Sequence, residues 1–329
     1  MKYNILGRTG LHVSQLGFGC GSIGGLLVRG DYPTMREVVE RATELGINYF
    51  DTAPQYGNGQ SEVNLGAVIR ELRANVLVGT KVRLTGEDMS QIAAAIPRSV
   101  EGSLRRLGRG TIDLIQLHNH IGFQRQPEQD PDRVSLQDLD AVRQAFETLQ
   151  QQGKVRFWGI TGLGASGAVQ EAVAAGAFQT IQAPYNLLNP SAGTIVPGNF
   201  PFQDYGQLID HAALQEMGVI AIRILAGGAL SGSTERHPVA SQSVNPIASE
   251  SAYRDDVARA QRFTFLVEDG VVSNLVEAAV RFAVSKPGVS TALLGISSRD
   301  QLEQAVRYVE RGPLSVDALE HIRATWSDH

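Results

Sequence analysis

With 329 residues, 43% of them hydrophobic and 19% charged, the chain has apolar material for a large core and too little charge for disorder, and its length does not force two domains. The net charge of −5 comes without a basic run or stripe, which excludes the footprint of a nucleic-acid or anionic-membrane binder. One cysteine, Cys20, excludes an intramolecular disulfide, and neither an export segment nor a run of ~18 apolar residues is present, so the expected location is cytoplasmic.

The chain opens with Tyr3 to Leu6 and Leu11 to Val13 around Gly7-Arg8-Thr9-Gly10, the pattern of a β-hairpin. Short apolar runs then alternate with amphipathic ones. The predicted strands are Leu16 to Gly19, Tyr49 to Asp51, Val76 to Lys81, Leu114 to His118, Phe157 to Thr161, Thr180 to Ala183, Val219 to Arg223 and Thr291 to Leu294. Thr34 to Leu45 carries Val38, Val39, Ala42 and Leu45 at helical spacing and stops at Gly46; Leu136 to Gln152 carries Leu139, Val142, Phe146 and Leu149 and stops at Gly153. Repeated βα units predict an α/β protein, a (β/α)8 TIM barrel spanning residues 1–329 as one domain, with the hairpin plugging its N-terminal mouth. The connection from Gly227 to Ser273, after the seventh strand, is far longer than ordinary βα loops and is expected to close over the substrate or cofactor.

Asp51, Tyr56, Lys81 and His118 fall at or just beyond the ends of three successive predicted strands. Strand ends converge on the active face of a parallel barrel. A tyrosine holds its proton with a pKa near 10; a lysine ammonium beside it is expected to lower that value, a carboxylate to fix the lysine, and a neutral imidazole to hold a substrate oxygen. Each residue alone has an ordinary structural use, Asp51 as a helix cap and Tyr56 as packing. Together they form the parts of a proton donor for carbonyl reduction.

The sequence also carries Leu6-Gly7-Arg8-Thr9-Gly10, Leu16-Gly17-Phe18-Gly19, the run Asp51-Thr52-Ala53-Pro54-Gln55-Tyr56-Gly57 followed by Ser61-Glu62 and Leu65-Gly66, then Thr80-Lys81 and Asp113-Leu114-Ile115-Gln116-Leu117-His118. In order and spacing this set resembles the aldo-keto reductase family over nearly the whole chain. The resemblance implies a barrel that binds a nicotinamide cofactor without a Rossmann domain, and no G-x-G-x-x-G follows the first strand. It implies Tyr56 as the group that protonates the carbonyl oxygen, Lys81 and Asp51 as its tuning pair, and His118 as the residue that orients the carbonyl.

Carried over residue by residue, the resemblance places cofactor contacts at Gly19, Cys20, Asp51, Thr161, Gln182, Ile222, Arg223, Leu225, Gly295, Ser297, Arg299, Gln301 and Gln304. Thr161 and Gln182 stand where family members bind the nicotinamide carboxamide. Ile222-Arg223-Ile224-Leu225 replaces the family's aromatic, Ser, Pro and Leu, so Ile222 becomes an apolar platform and Arg223 reaches pyrophosphate or substrate. The segment from Gly295 to Gln304 resembles the one that grips adenosine, at the start of a helix suited to phosphate. Ser297 stands where members that insist on NADPH carry a basic residue; Arg299 supplies the charge nearby, so NADP(H) is favoured over NAD(H).

His118-Asn119-His120 also permits a metal reading, but a catalytic zinc needs a third protein ligand and no other histidine stands at a predicted strand end. No metal is expected. The partners expected are a small-molecule carbonyl or sugar. Alternatives are an NAD(P)+-dependent sugar dehydrogenase, with Asn119, Asn186 and Arg223 binding hydroxyls, and a nicotinamide-holding redox sensor with little turnover.

Overall fold

The structure is a computed structural model that describes residues 1–246 and 252–327. After the hairpin β1 (Tyr3–Ile5) and β2 (His12–Ser14), the chain runs through β3 (Leu16–Gly19), β4 (Tyr49–Asp51), β5 (Leu77–Val82) and β6 (Ile112–Leu117). A short pair, β7 (Ile121–Gly122) and β8 (Val134–Ser135), precedes β9 (Val155–Thr161), β10 (Thr180–Pro184), β11 (Gly218–Ile222) and β12 (Val289–Gly295). Eight strands close into a parallel barrel in the order β3-β4-β5-β6-β9-β10-β11-β12, with β12 pairing back onto β3. Each strand expected from the sequence is there, with ends displaced by at most two residues.

Local chemistry explains where the helices depart from expectation. The first long one begins at Tyr32, earlier than its apolar stripe suggests, because Asp31 accepts a hydrogen bond from Thr34 N at 2.9 Å and Pro33 suits the first turn. The helix Asp138–Gln151 begins later than Leu136, because Asp138 Oδ2 accepts from both the amide and the hydroxyl of Ser135 and holds that stretch as a turn.

The main core lies between the outer faces of the strands and the helices. A second core fills the barrel from below, where Leu6, Leu11 and Val13 of the hairpin region pack with Tyr49, Leu114 and Ile220. The hairpin turn is pinned to the strand starts: Arg8 donates to the carbonyls of Gln215, Gly176 and Phe178, and Gly7 bridges to Met217. Within this core Tyr49 lies against Gly79, where a Cβ would stand 2.4 Å from the phenol oxygen.

The long connection after β11 is folded and tied down. Its first part is a 3-10 turn (Ala226–Ser231), and it later forms the helix Tyr253–Ala260. Between them the chain crosses to the loop after β3, where Arg29 Nε donates to Val239 O at 2.7 Å and Ser241 Oγ donates to Ser22 O at 2.9 Å. Residues 247–251 of this connection lie outside the described residues.

The hairpin plug depends on backbone approach at Gly7, whose φ is +50° and whose Cβ would stand 2.1 Å from Gly218 N. Gly7→Ala is expected to lower stability by about 2–3 kcal/mol, from left-handed strain and overpacking together. Urea unfolding followed by circular dichroism checks this, and an unchanged midpoint would show that the hairpin is not held by this contact.

Candidate active site

Barrel closure brings Asp51, the last residue of β4, beside Lys81, the fifth of β5. Both are fully buried and form an ion pair between Lys81 Nζ and Asp51 Oδ1. Lys81 Nζ also donates to Thr52 O at 2.9 Å. Asp51 Oδ2 accepts from Gln182 Nε2 at 2.8 Å and from the Tyr49 hydroxyl at 3.2 Å. Tyr56, on the turn after β4, places its ring centroid 5.1 Å from Lys81 Nζ. His118, just past β6, meets Tyr56 edge to face with centroids 6.2 Å apart, and its Nδ1 lies 3.5 Å from Gln55 Oε1. Ala53, Pro54 and Gln55 form the short connection that turns Tyr56 back over the mouth, closed by Tyr56 N donating to Ala53 O.

The electrostatics differ from expectation at one group. Burial, the largest influence, pushes the Tyr56 phenol above its ordinary value; Lys81 pulls it down and Asp51 pushes it up again. The net direction is upward, opposite to the lowering expected from a neighbouring ammonium. The reason is burial, which outweighs the pull of Lys81, a pull that Asp51 further weakens. Burial works against the Lys81 ammonium, but the carboxylate and phenol beside it carry its pKa above the ordinary lysine value. For His118, burial dominates, and Lys81, Arg83, His120 and Arg223 add to it, bringing the imidazole down to about 3. It is neutral at physiological pH.

Of the expected cofactor contacts, Gly19 and Gly295 pair across the β3–β12 seam and Ile222 points inward at the mouth. Cys20 is buried, its amide donating to Asp51 O at 2.9 Å. Thr161 ends β9 with Oγ1 buried and without a protein partner, a group that fits a nicotinamide carboxamide. Gln182, expected at the same carboxamide, spends its Nε2 on Asp51. Arg223 and Leu225 follow β11, both half-buried. Ser297 Oγ donates to Gly24 O at 2.7 Å and Ser297 N donates to Gln301 Oε1 at 3.0 Å, while Gln304 is exposed. Arg299 is shared between Glu37 at 2.7 Å and Glu303 at 3.1 Å. Asn119 is occupied by Leu84 N, Leu84 O and Asp132 O, and Asn186 by the amides of Leu188 and Asn189 and the carbonyl of Arg223, so neither amide is available to a sugar hydroxyl as expected.

Tyr49 and Gln182, which complete the hydrogen bonding of Asp51, are the residues that sequence reasoning missed in this role. Tyr49 had a signal: it precedes Asp51 by two positions on one strand, so both share a face.

The low His118 value has a consequence in acid. Its imidazole resonances are expected to stay flat from about pH 8 to about pH 5, and a midpoint near 6.5 in an NMR titration would contradict a neutral ring. Because the folded-state value lies below the unfolded one, the stability from keeping His118 neutral is present above about pH 6.5 and is lost as pH falls toward 3.

A family model described as the aldo/keto reductase family matches residues 15–327. The chain is 29% identical to L-galactose dehydrogenase of Arabidopsis thaliana over 94% of this chain and 88% of that protein. It is 27% identical to the aldo-keto reductase YhdN of Bacillus subtilis (strain 168) over 92% and 87% respectively. Among solved structures, the holo form of aldo-keto reductase AKR11C1 from Bacillus halodurans superposes with a TM-score of 0.71 at 27% identity, covering 99% of this chain and 96% of that one. With a closed barrel, this strand order and a match along nearly its full length, the chain belongs to the aldo/keto reductase family, oxidoreductases that act on carbonyl and alcohol groups with a nicotinamide cofactor.

Proposed function

We propose that this protein interconverts an aldehyde or ketone with its alcohol, Tyr56 serving as general acid in reduction and general base in oxidation. The observation that carries this reading is the buried Asp51–Lys81 pair set against the Tyr56 phenol, with neutral His118 on the same mouth. A nicotinamide dinucleotide, when bound, supplies or accepts the hydride at the reacting carbon. The Tyr56 hydroxyl gives its proton to the carbonyl oxygen, and Lys81 stabilises the phenolate left behind. His118, uncharged, donates a hydrogen bond to the same oxygen and orients it without competing for the proton. The orphaned Thr161 hydroxyl supports a carboxamide contact. Gly19, Cys20, Ile222, Leu225, Gly295, Ser297, Gln301 and Gln304 line the course assigned to the rest of the dinucleotide.

The likeness to L-galactose dehydrogenase favours dinucleotide-dependent oxidation of an aldose sugar as a second reading. Against it, Asn119 and Asn186 give their hydrogen bonds to the backbone, which leaves few groups to recognise a polyol. The complete proton-donor set supports turnover over a redox sensor.

Tyr56→Phe is expected to lower kcat for reduction roughly 10²- to 10⁴-fold with dinucleotide affinity nearly unchanged. Because Tyr56 is shifted upward, the reductive rate should hold through the neutral range and fall only above about pH 10, whereas oxidation, which needs the phenolate, should climb with pH. Steady-state kinetics across pH tests both, and a Tyr56→Phe enzyme with wild-type kcat would remove the phenol from the mechanism.

NADP(H) preference rests on Arg299, which a 2′-phosphate must draw from the exposed Glu37 and the partly buried Glu303. Exposed pairs are each worth at most about 1 kcal/mol, so we expect NADPH to be preferred and Glu37→Gln to raise that preference roughly two- to fivefold. Comparison of KM for NADPH and NADH decides it; a ratio that favours NADH, or one that Glu37→Gln leaves unmoved, excludes Arg299.

A further inference from the structure

Arg223 stands at the C-terminal rim of the barrel, one residue beyond Ile222, which pairs with Pro184 of β10. Its backbone is left-handed, with φ +59°, a conformation that a residue with a Cβ adopts at a cost of about 1–2 kcal/mol. That conformation is over-determined by its own carbonyl, which accepts from Asn186 Nδ2 at 3.1 Å and from Ala226 N at 2.7 Å. Strain held in this way at a site's rim serves to aim a side chain.

Arg223 is half-buried, and among the described residues no carboxylate pairs with it. Its neighbours around His118 are paired: Lys81 with Asp51, Arg83 with Asp132, and His120 with Asp130. Of the two arginines around His118, Arg223 is the one without a carboxylate at ion-pair distance among the described residues. Arg223 leaves the barrel where β11 ends beside β10, and its charge is among those that act on Tyr205 and His118. A half-buried guanidinium without a counter-ion is unfavourable until an anion reaches it, and its planar fork suits a carboxylate or phosphate.

We propose that Arg223 anchors an oxyanion carried by the substrate, so that preferred substrates are carbonyl compounds, or their alcohols, with a carboxylate or phosphate a short spacer from the reacting carbon. This rests on the reading of Tyr56 and His118 as the place where the carbonyl oxygen sits. The anion would lie at the rim beside Arg223, where β11 ends.

The test compares 4-carboxybenzaldehyde with 4-nitrobenzaldehyde, and glyceraldehyde 3-phosphate with glyceraldehyde, as substrates of the wild type, Arg223→Asn and Arg223→Lys. Asparagine tolerates left-handed backbone and removes the charge. We expect KM for the charged member of a pair to rise in Arg223→Asn roughly ten- to a hundredfold more than for the neutral one, with kcat moving less. Arg223→Lys should recover part of the loss, and added salt should raise the wild-type KM of the charged member alone. The two pairs distinguish carboxylate from phosphate. Equal loss on charged and neutral aldehydes overturns the proposal. So does weakened dinucleotide binding, read by fluorescence quenching, without charge-selective KM, since the guanidinium would then serve the cofactor. Turnover of the neutral aldehydes by the wild type reads the reduction chemistry separately. Calorimetric binding of benzoate, expected in the wild type and absent in Arg223→Asn, reads the anion site without any turnover, and equal benzoate binding by both would also overturn it.

Discussion

The ion pair between Asp51 and Lys81 is the constraint around which the barrel mouth is built. Both groups are fully buried, and an isolated charge at that depth would be unfavourable by several kcal/mol. The pair persists because its hydrogen-bonding capacity is filled: Asp51 takes Lys81 on one oxygen and Gln182 with Tyr49 on the other, and Lys81 reaches the Thr52 carbonyl. Gln182 comes from β10, on the opposite side of the barrel from β4, so this satisfaction exists only once the sheet has closed. Gly79, having no side chain, leaves room for the Tyr49 ring whose hydroxyl finishes the set. The barrel interior and the chemistry at its mouth are thus one hydrogen-bonded structure.

Much of this was legible in the sequence because it depends on period. Strands betray themselves by apolar runs between helical stripes, and a polar residue at the end of a run must face the mouth, which is how Asp51, Lys81 and His118 stood out together. What period cannot give is the partner of a side chain. Gln182, read as a cofactor ligand, faces the interior as expected, yet its nearest acceptor is Asp51 across the barrel. Asn119 and Asn186, read as substrate groups, hold backbone turns in place, a use no spacing rule distinguishes from binding. Arg299 meets Glu37, which lies on the first long helix, and the two are brought together only by packing. The direction of the Tyr56 shift was hidden for a similar reason, since it depends on how deeply the phenol is buried and how closely Asp51 cancels Lys81.

That cancellation assigns separate electrostatic roles to the residues of the mouth. In the proposed reaction, the buried phenol keeps its proton until charge develops on an oxygen beside it, and the Lys81 ammonium then stabilises the phenolate. Burial, with Lys81, Arg83 and Arg223 nearby, keeps His118 neutral, so in the proposed reaction it can donate a hydrogen bond without adding a charge that would repel the ammonium. The positive field at the rim therefore comes from Arg223, the one of these side chains with no carboxylate matched to it among the described residues. A field placed there acts on the ligand as a whole more than on the proton in transit. On the proposed reading, recognition and proton transfer are tuned by different residues, so that Ile222-Arg223 can depart from the family's pattern while Asp51, Tyr56, Lys81 and His118 are kept.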